Sequence, residues 1–266
     1  MVMKNIRDFG IFLSLCVFAL AFSACSKDRS NVPTGRVVSE EYSFSGSLSK
    51  IEVSDGIRLV ITSKIPEKTV SVVTNEEIQQ YVIVQQRQGA LRVYVDEEAK
   101  TYSQLEIAVY VSTNNFDTFS VESGAIMSSI GVIEAGNVEL NIDGASHVDA
   151  DFKCNSMILG MTGASVLNSD ISASDFYAGI SGASKAELSG NADYFELMAS
   201  GASNLSAFGL VCNTFDFAIS GGTAVEITVT GLMNGEISGG SSLLYKGNPP
   251  RIIIDKTGAS QVESAD

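Results

Sequence analysis

The chain has few of the residues on which many catalytic centres depend. His147 is the only histidine among 266 residues, which excludes a multi-histidine metal site. We expect His147 on the surface, because equivalent positions of the repeat described below hold residues as different as Val166 and Lys185. A single histidine at a surface position disfavours a histidine-based nucleophilic triad. The chain also has no tryptophan. Beyond the N-terminus no apolar residues recur with the helical period of 3.6, which excludes a helical domain.

Positive charge is also scarce. Lys and Arg number 17 against 31 Asp and Glu, which gives a formal net charge of −14. Binding to nucleic acid or to an anionic lipid surface requires a stripe of basic residues, and the sequence has none. We therefore expect no nucleic-acid partner.

Glycine is abundant, and its spacing shows an internal repeat. Blocks such as DGASHVDAD, TGASVLNSD and SGASNLSAF recur along the second half of the chain. Their glycines are spaced by 18 to 20 residues and lie at Gly124, Gly144, Gly163, Gly182, Gly201, Gly221, Gly239 and Gly258. This period, with strand-like content, indicates one supersecondary unit per repeat. It also excludes a phosphate-binding loop, whose glycines lie only a few residues apart.

Apolar residues alternate around these glycines with the period of two that is typical of strands with one buried face. Positions six, four and two before the glycine, and four after it, are apolar in nearly every repeat, and Phe176, Phe195 and Phe215 share one such column. We predict an all-β fold: a single-stranded β-solenoid with coils of about 19 residues, stacked at roughly 4.8 Å per rung. Because the sixfold sub-period of left-handed hexapeptide solenoids is absent, we predict a right-handed β-helix.

The corner of each coil is small and polar. We expect the glycine to adopt backbone angles closed to other residues and to let consecutive corners approach closely. The next residue is Ala or Gly in every repeat, which we interpret as the inside of the corner, where nothing larger would fit. Flanking hydroxyl residues, such as Thr162 and Ser165, are expected to bond to local backbone or to one another across coils.

The pattern divides the chain into four parts. Residues 1–24 are a targeting segment, 25–40 a polar tether, 41–120 a less regular N-terminal β region of the solenoid, and 121–266 the regular coils. The irregular part contains strand-like runs such as KIEVSDGIRLVIT and ALRVYVD. A separate small β domain is the alternative interpretation of that part.

The N-terminal segment predicts export. Lys4 and Arg7 precede an apolar run from Phe9 to Ala24 that is too short and wrongly flanked for a stable membrane span. The run ends in AFSAC and resembles a bacterial lipoprotein signal, in which the cysteine, here Cys25, becomes the lipidated first residue of the mature chain. We expect a lipid anchor in the outer membrane, on the periplasmic or cell-surface side. An ordinary secretory signal is the alternative.

The strand and turn VSDGIRLVIT, followed by serial SGAS coils, resembles the head GIN domain family of putative auto-transporter adhesins from Gram-negative envelopes. The resemblance covers roughly residues 45–262, with Gly56-Ile57-Arg58 where the family name implies Gly-Ile-Asn. It implies a non-enzymatic binding or structural protein that presents solenoid faces to a glycan, a host surface or another envelope protein. We expect no cofactor.

An acidic cluster supports an alternative function. Asp151 and Asp170 stand seven residues after the glycines of adjacent coils, and Asp149 lies two residues away on the same face. Carboxylates separated by about 5 to 9 Å are what glycoside hydrolysis requires. The alternative is therefore an envelope polysaccharide-active enzyme. The simpler interpretation is that these carboxylates form a solvated acidic surface without a specific function. Weak calcium binding is a further hypothesis.

Outward apolar residues on the strand before each corner indicate where a partner would bind. Ile158 and Tyr177 share a column on adjacent coils, and Tyr194 lies on the next coil two residues along. Tyrosines on a flat strand suit sugar rings or the apolar surface of another protein. A patch covered by a loop, or one used in self-association, is the alternative, and the oligomeric state stays open.

Two cysteines remain after the targeting segment. Cys154 and Cys212 fall in one column but three coils apart, roughly 14 Å at the rung spacing of a β-solenoid. A disulfide requires Cα atoms within about 7 Å. We therefore predict two free thiols.

Overall fold

The structure is a computed structural model that describes residues 3–4, 31–112 and 116–266. These residues form strands almost throughout, with one short α-helix, α1 (Glu76–Gln79), and one 3₁₀ helix (Glu97–Thr101). The strands of the N-terminal region are β1 (Met3–Lys4), β2 (Val37–Ser43), β3 (Lys50–Val53), β4 (Arg58–Thr62), β5 (Thr69–Asn75), β6 (Val82–Arg87), β7 (Ala90–Val95), β8 (Ala108–Ser112), β9 (Thr118–Val121) and β10 (Ile126–Ile130). The strands of the regular coils are β11 (Ile133–Glu134), β12 (Asn137–Ile142), β13 (His147–Asp149), β14 (Phe152–Lys153), β15 (Ser156–Met161), β16 (Val166–Ile180), β17 (Lys185–Ala199), β18 (Asn204–Ile219), β19 (Ala224–Ile237), β20 (Ser242–Lys246), β21 (Arg251–Lys256) and β22 (Gln261–Ser264).

The regular coils form the predicted β-solenoid. Each coil pairs in parallel with the next, so that β15 lies on β16, β16 on β17, β17 on β18 and β18 on β19. The register follows the glycine spacing: Met157 lies opposite Phe176, and Phe176 opposite Phe195. The prediction of an all-β solenoid with coils of about 19 residues is confirmed.

The core consists of the apolar columns read from the sequence. Phe195 is fully buried, its ring lies 4.6 Å from that of Phe176 in a stacked arrangement, and it lies 5.3 Å from that of Phe215. The predicted aromatic stack is therefore confirmed. Apolar residues of the irregular region, such as Leu59 and Val109, belong to the same continuous cluster of buried side chains.

The corners follow the glycine prediction in the regular coils. Gly144, Gly163 and Gly182 have φ angles of +80°, +73° and +81°. A Cβ on Gly163 would lie 2.5 Å from the carbonyl oxygen of Gly144. Both the backbone angle and the contact with the preceding coil therefore require glycine.

Two details of the corner differ from the sequence interpretation. The residue after the glycine, such as Ala164, is exposed, whereas the hydroxyl residue after that, such as Ser165, is buried. The Ser165 hydroxyl donates to the carbonyl of Thr162 at 2.7 Å and so closes the turn. The inside of the corner is thus filled by a hydroxyl with a backbone partner, which removes the cost of burying it.

The first regular corner is shifted by one residue. Ile126 pairs with His147, which places Ser123 opposite Gly144 and leaves Gly124 opposite the exposed alanine position. Ser123 and Gly124 both have positive φ, +53° and +76°, the combination that defines a type I′ turn. Gly124 is therefore not the equivalent of the other corner glycines.

The N-terminal region shares the parallel ladders but does not follow chain order. β3 lies between β7 and β9, and β4 lies between β8 and β10. The coil formed by residues 50–62 is therefore inserted between later segments of the chain. Beyond β7 and β8 the pairing becomes antiparallel, through β6 on β7, β5 on β8 and β2 on β5.

Part of the predicted tether belongs to this body. β2 begins at Val37, inside the range 25–40, and the backbone N–H groups of Thr34 and Gly35 donate to the Glu77 carboxylate. Residues 5–30, which hold most of the targeting segment and the first part of the tether, lie outside the described residues.

Cys154 and Cys212 are both free, as predicted. The register places them in one column with Ala173 and Ala192 between them, since Ala173 pairs with Ala192 and Ala192 with Cys212. Burial raises the pKa of both thiols, that of Cys212 to about 12. Cys212 is fully buried and Cys154 packs half-buried against the core, so both serve as packing residues.

We expect Gly163→Ala to destabilise the solenoid more than Gly124→Ala. A left-handed alanine costs about 1–2 kcal/mol at either site, but only the Cβ at position 163 also meets a carbonyl oxygen, whereas that at position 124 meets nothing within 4 Å. Urea unfolding of the two variants measures the difference. Equal losses would contradict the view that corner contact, and not φ alone, selects glycine.

We expect Phe195→Ala to lower the free energy of unfolding by about 3–5 kcal/mol, because it leaves a cavity between two packed rings. Met198→Ala is the matched control on the same strand, since Met198 is 61% exposed, and should change stability by no more than about 0.5 kcal/mol. Thermal or urea unfolding monitored by circular dichroism distinguishes them. A loss below about 1 kcal/mol for Phe195→Ala would be inconsistent with the central position of this ring.

Candidate functional site

The strand before each corner presents one side to solvent, and these outward positions stack into columns. In the register of β15, β16 and β17, Ile158 pairs with Tyr177 and Tyr177 with Glu196. Tyr194 lies two residues before Glu196 on the same strand and pairs with Asp175. The structure therefore brings the three predicted residues, Ile158, Tyr177 and Tyr194, onto neighbouring rungs of one face.

The exposed apolar part of this face is formed by Ile158, Tyr177 and Met198, which we call the lateral patch. Their exposed fractions are 53%, 38% and 61%. Met198, which was not predicted from the sequence, lies in the outward column three residues before the corner glycine. Gly160 and Gly179 precede Met198 in that column. The Asn141 side chain lies against Gly160, whereas the backbone of Gly179, beside Tyr177, is open.

Tyr194 is half-buried at the edge of this patch. Its ring lies 5.8 Å from that of Tyr177 in a tilted arrangement. Its hydroxyl donates towards the carboxylates of Glu196 at 3.1 Å and Asp216 at 2.9 Å. Burial and these two carboxylates raise the pKa of Tyr194 above its ordinary value. Tyr194 therefore orients Tyr177 and the carboxylates, while its own hydroxyl is already engaged.

A shallow cleft of about 330 Å³ continues from the patch along the next coils. Its polar groups are ordered by hydrogen bonds, since the Asn234 side-chain amide donates to Asp216 at 3.0 Å. Its exposed apolar surface comes from Met198, because Phe217, which also lines the cleft, is only 5% exposed. The cleft thus combines fixed hydrogen-bond acceptors with an apolar surface, the composition typical of small-ligand sites.

The predicted acidic cluster lies on a different face, after the corner. Asp149, Asp151 and Asp170 are exposed and line an open groove of about 600 Å³ together with Glu187 and Glu226. Asp151 accepts the backbone N–H of Asp170 at 2.9 Å, and Asp170 accepts the Ser189 hydroxyl at 2.7 Å. Two of the three carboxylates therefore connect consecutive coils.

In residues 31–112 and 116–266, no group of three or more His, Cys, Asp or Glu side chains is arranged to hold a metal ion. Across the same part of the chain, no helix has the length and apolar character needed to cross a membrane. Cys25, the predicted lipid anchor, lies outside the described residues.

Solved structures with the same fold include several bacterial proteins. A putative adhesin from Parabacteroides distasonis superposes with a TM-score of 0.81 at 17% identity, over 88% of this chain and 99% of that chain. A putative adhesin from Parabacteroides merdae gives a TM-score of 0.79 at 14% identity, over 88% of this chain and 98% of that chain.

A third solved structure carries a different description. It is a putative lipid binding protein from Parabacteroides distasonis, which superposes with a TM-score of 0.75 at 15% identity, over 88% of this chain and 98% of that chain. At these identities the three likenesses concern the fold. None of the three is described as an enzyme.

The family comparison agrees with the resemblance read from the sequence. No curated protein matches the chain. The family model described as putative auto-transporter adhesin, head GIN domain, matches residues 47–249. Because this match covers well over half of the sequence and includes both the irregular region and most regular coils, the chain belongs to the head GIN domain family.

Proposed function

We propose that this chain is a non-enzymatic binding protein of the cell envelope, attached to the outer membrane through a lipid on Cys25, which holds its partner on the lateral patch. The observation that carries the proposal is the exposure of Ile158, Tyr177 and Met198 on three adjacent rungs of a strongly acidic protein. Contiguous exposed apolar side chains with a polar rim are typical of interaction sites. The adhesin description of the family supports this type of function.

The partner that suits this surface best is a glycan. The Tyr177 ring, with the uncovered backbone of Gly179 beside it, offers a flat surface on which a sugar ring can stack. Glu196 and Asp216 lie next to it and accept hydrogen bonds, as sugar hydroxyls require. A protein of the host or envelope surface is the other partner class that this patch fits.

A lipid ligand is a second candidate, because one solved structure of this fold is named a putative lipid binding protein. The interior of the regular coils does not favour it. Phe176, Phe195 and Phe215 are fully buried and in ring contact with one another. An acyl chain would have to replace these side chains, since close-packed interiors leave no room beside them.

The alternative of a polysaccharide-active enzyme depends on Asp149, Asp151 and Asp170. Their groove is open and is lined by further carboxylates at Glu187 and Glu226. No Lys, Arg or His of the described residues lines it. A panel of envelope and host glycans separates the two functions: retention of intact glycan supports binding, and release of oligosaccharide supports catalysis.

We expect Tyr177→Ala combined with Met198→Ala to weaken glycan or cell binding by about 1–2 kcal/mol, roughly tenfold in Kd, because both side chains contribute exposed contact area. Val211→Ala is the matched control, since Val211 is an exposed apolar residue outside the patch. Glycan-array or cell-binding titrations measure the effect. Unchanged binding by a folded double variant would remove the lateral patch as the site.

The Tyr177→Ala, Tyr194→Ala variant tests the aromatic pair itself. Tyr194→Phe accompanies it as the conservative change, since it keeps the ring and removes only the hydroxyl that Glu196 and Asp216 share. If the ring is what matters, Tyr194→Phe binds as the wild type does. Loss of binding in Tyr194→Phe alone would instead assign recognition to the ordered carboxylates.

We expect Cys25→Ser to release the protein from the membrane fraction into the soluble extract. A lipoprotein signal requires the cysteine thiol as the point of lipid attachment, and one hydroxyl in its place provides no anchor. Fractionation of cells, with immunoblotting of washed membranes, measures the distribution. Cys154→Ser is the control, because Cys154 belongs to the folded coils. A Cys25→Ser protein that stays in washed membranes would contradict the lipid anchor.

A further inference from the structure

The two ends of the solenoid differ in how well the core is covered. At the N-terminal end, antiparallel strands and α1 pack over the last rungs, and the apolar residues Val70, Val72, Ile78 and Val82 are buried. At the C-terminal end, β21 carries Ile252 in the same column as Phe195, yet Ile252 is 45% exposed. The described residues therefore leave the core column open at one end only.

β21 also has a free edge. It pairs in parallel with β19, and no other strand of the described residues pairs with it. Thr257, which follows β21, donates its backbone N–H to Ile237 of the preceding coil. The N–H and C=O groups of successive residues in a strand point to opposite edges. Those of residues 251, 253 and 255 therefore point to the preceding coil, as the N–H of Thr257 does, and those of Ile252 and Ile254 point to the free edge.

This alternation restricts how a second strand could add to β21. In an antiparallel ladder, residues that exchange hydrogen bonds must both point to the shared edge. A second copy of β21 meets this condition when the twofold axis passes through Ile253. Ile252 of one copy then exchanges both backbone hydrogen bonds with Ile254 of the other, and Ile253 faces Ile253 as a non-hydrogen-bonded pair.

The same register is complementary in charge. On the outward side of β21 it places Arg251 opposite Asp255 of the second copy, and Asp255 opposite Arg251. An axis through Ile254 would place Asp255 opposite Ile253 instead, and an axis through Ile252 would place Arg251 opposite Ile253. Only the register centred on Ile253 pairs both charges and keeps Ile252 and Ile254 together over the open core.

We propose that two copies of this chain dimerise end to end through antiparallel pairing of β21 about Ile253. The contact covers Ile252 and Ile253, which are 45% and 43% exposed in the single chain, and it uses the backbone groups of the free edge. The two Arg251 to Asp255 pairs offset the repulsion expected between copies of an acidic protein with a net charge of −14. Because a twofold contact uses the single β21 of each copy, this contact closes at two copies.

The dimer would place two lateral patches on one surface. The twofold axis runs through Ile253, which stands in the same outward column as Ile158 and Tyr177, five rungs away from Ile158. At the rung spacing of a β-solenoid, the two Ile158 residues, at the far ends of the two patches, would lie about 50 Å apart on a continuous face. Such a spacing favours bivalent binding to an extended or surface-bound partner.

Sedimentation velocity and light scattering of the purified full chain in mild detergent test the proposal without any ligand. We expect twice the monomer mass for the wild type, and monomers for Ile253→Asp, Arg251→Asp and Asp255→Arg. The double exchange Arg251→Asp with Asp255→Arg should restore the dimer, because the same pairs form with signs reversed. Ile158→Asp, on the same face but outside β21, should remain dimeric.

A cysteine at the axis provides a second readout. Facing residues in a non-hydrogen-bonded antiparallel pair have Cα atoms about 4.5 Å apart, within the range of about 4.4–6.8 Å for a disulfide. Ile253→Cys should therefore form a covalent dimer on mild oxidation, and Ile158→Cys should not. A monomeric wild type, polymers larger than two copies, or a double exchange that fails to restore the dimer would overturn the proposal.

Discussion

The close contact between consecutive corners determines the rest of the solenoid. The N–H of Ala164 donates to the carbonyl of Gly144, that of Ala183 to Gly163 and that of Ala202 to Gly182, each at 2.8 Å. These bonds form only because the corner glycine carries no Cβ and has a positive φ. They set each corner directly over the last, and the columns next to the corner take their register from them, whereas bulges shift the register further along β17 and β18.

Much of this arrangement was predictable because residues at the same distance from the corner glycine stack on one another in every pair of adjacent coils. The position of Phe195 between Phe176 and Phe215 followed from a count of residues to the glycine, as did the separation of Cys154 from Cys212. The inside of the corner was assigned wrongly, because Ala164 and Ser165 are both small; their exposure and the Ser165 hydrogen bond to Thr162 show which of them faces inward. Sequence spacing does not contain that information.

The irregular region could not be derived in the same way. The order in which β7, β3 and β9 stack does not follow the order of the chain, and it is set by contacts between segments that share no repeat. Likewise, Ser123 replaces glycine at the first corner because two successive residues with positive φ turn the chain there. Of the candidate site, the sequence placed Ile158, Tyr177 and Tyr194 on one face, but it gave no sign that the Tyr194 hydroxyl is engaged by Glu196 and Asp216.

The solenoid separates the residues that specify the fold from those free to serve a function. Inward columns must fill the interior, with apolar side chains along the strands and hydrogen-bonded hydroxyls at the corners, since each residue packs against its equivalents above and below. Outward columns have no such constraint, so Ile158, Tyr177 and Glu196 can follow one another in a single column without disturbing the ladder. A change of partner then requires new outward side chains on a few rungs and no change in the core. This explains how the fold can be recognised from its repeat while the ligand depends on residues, such as Met198, that the repeat does not specify.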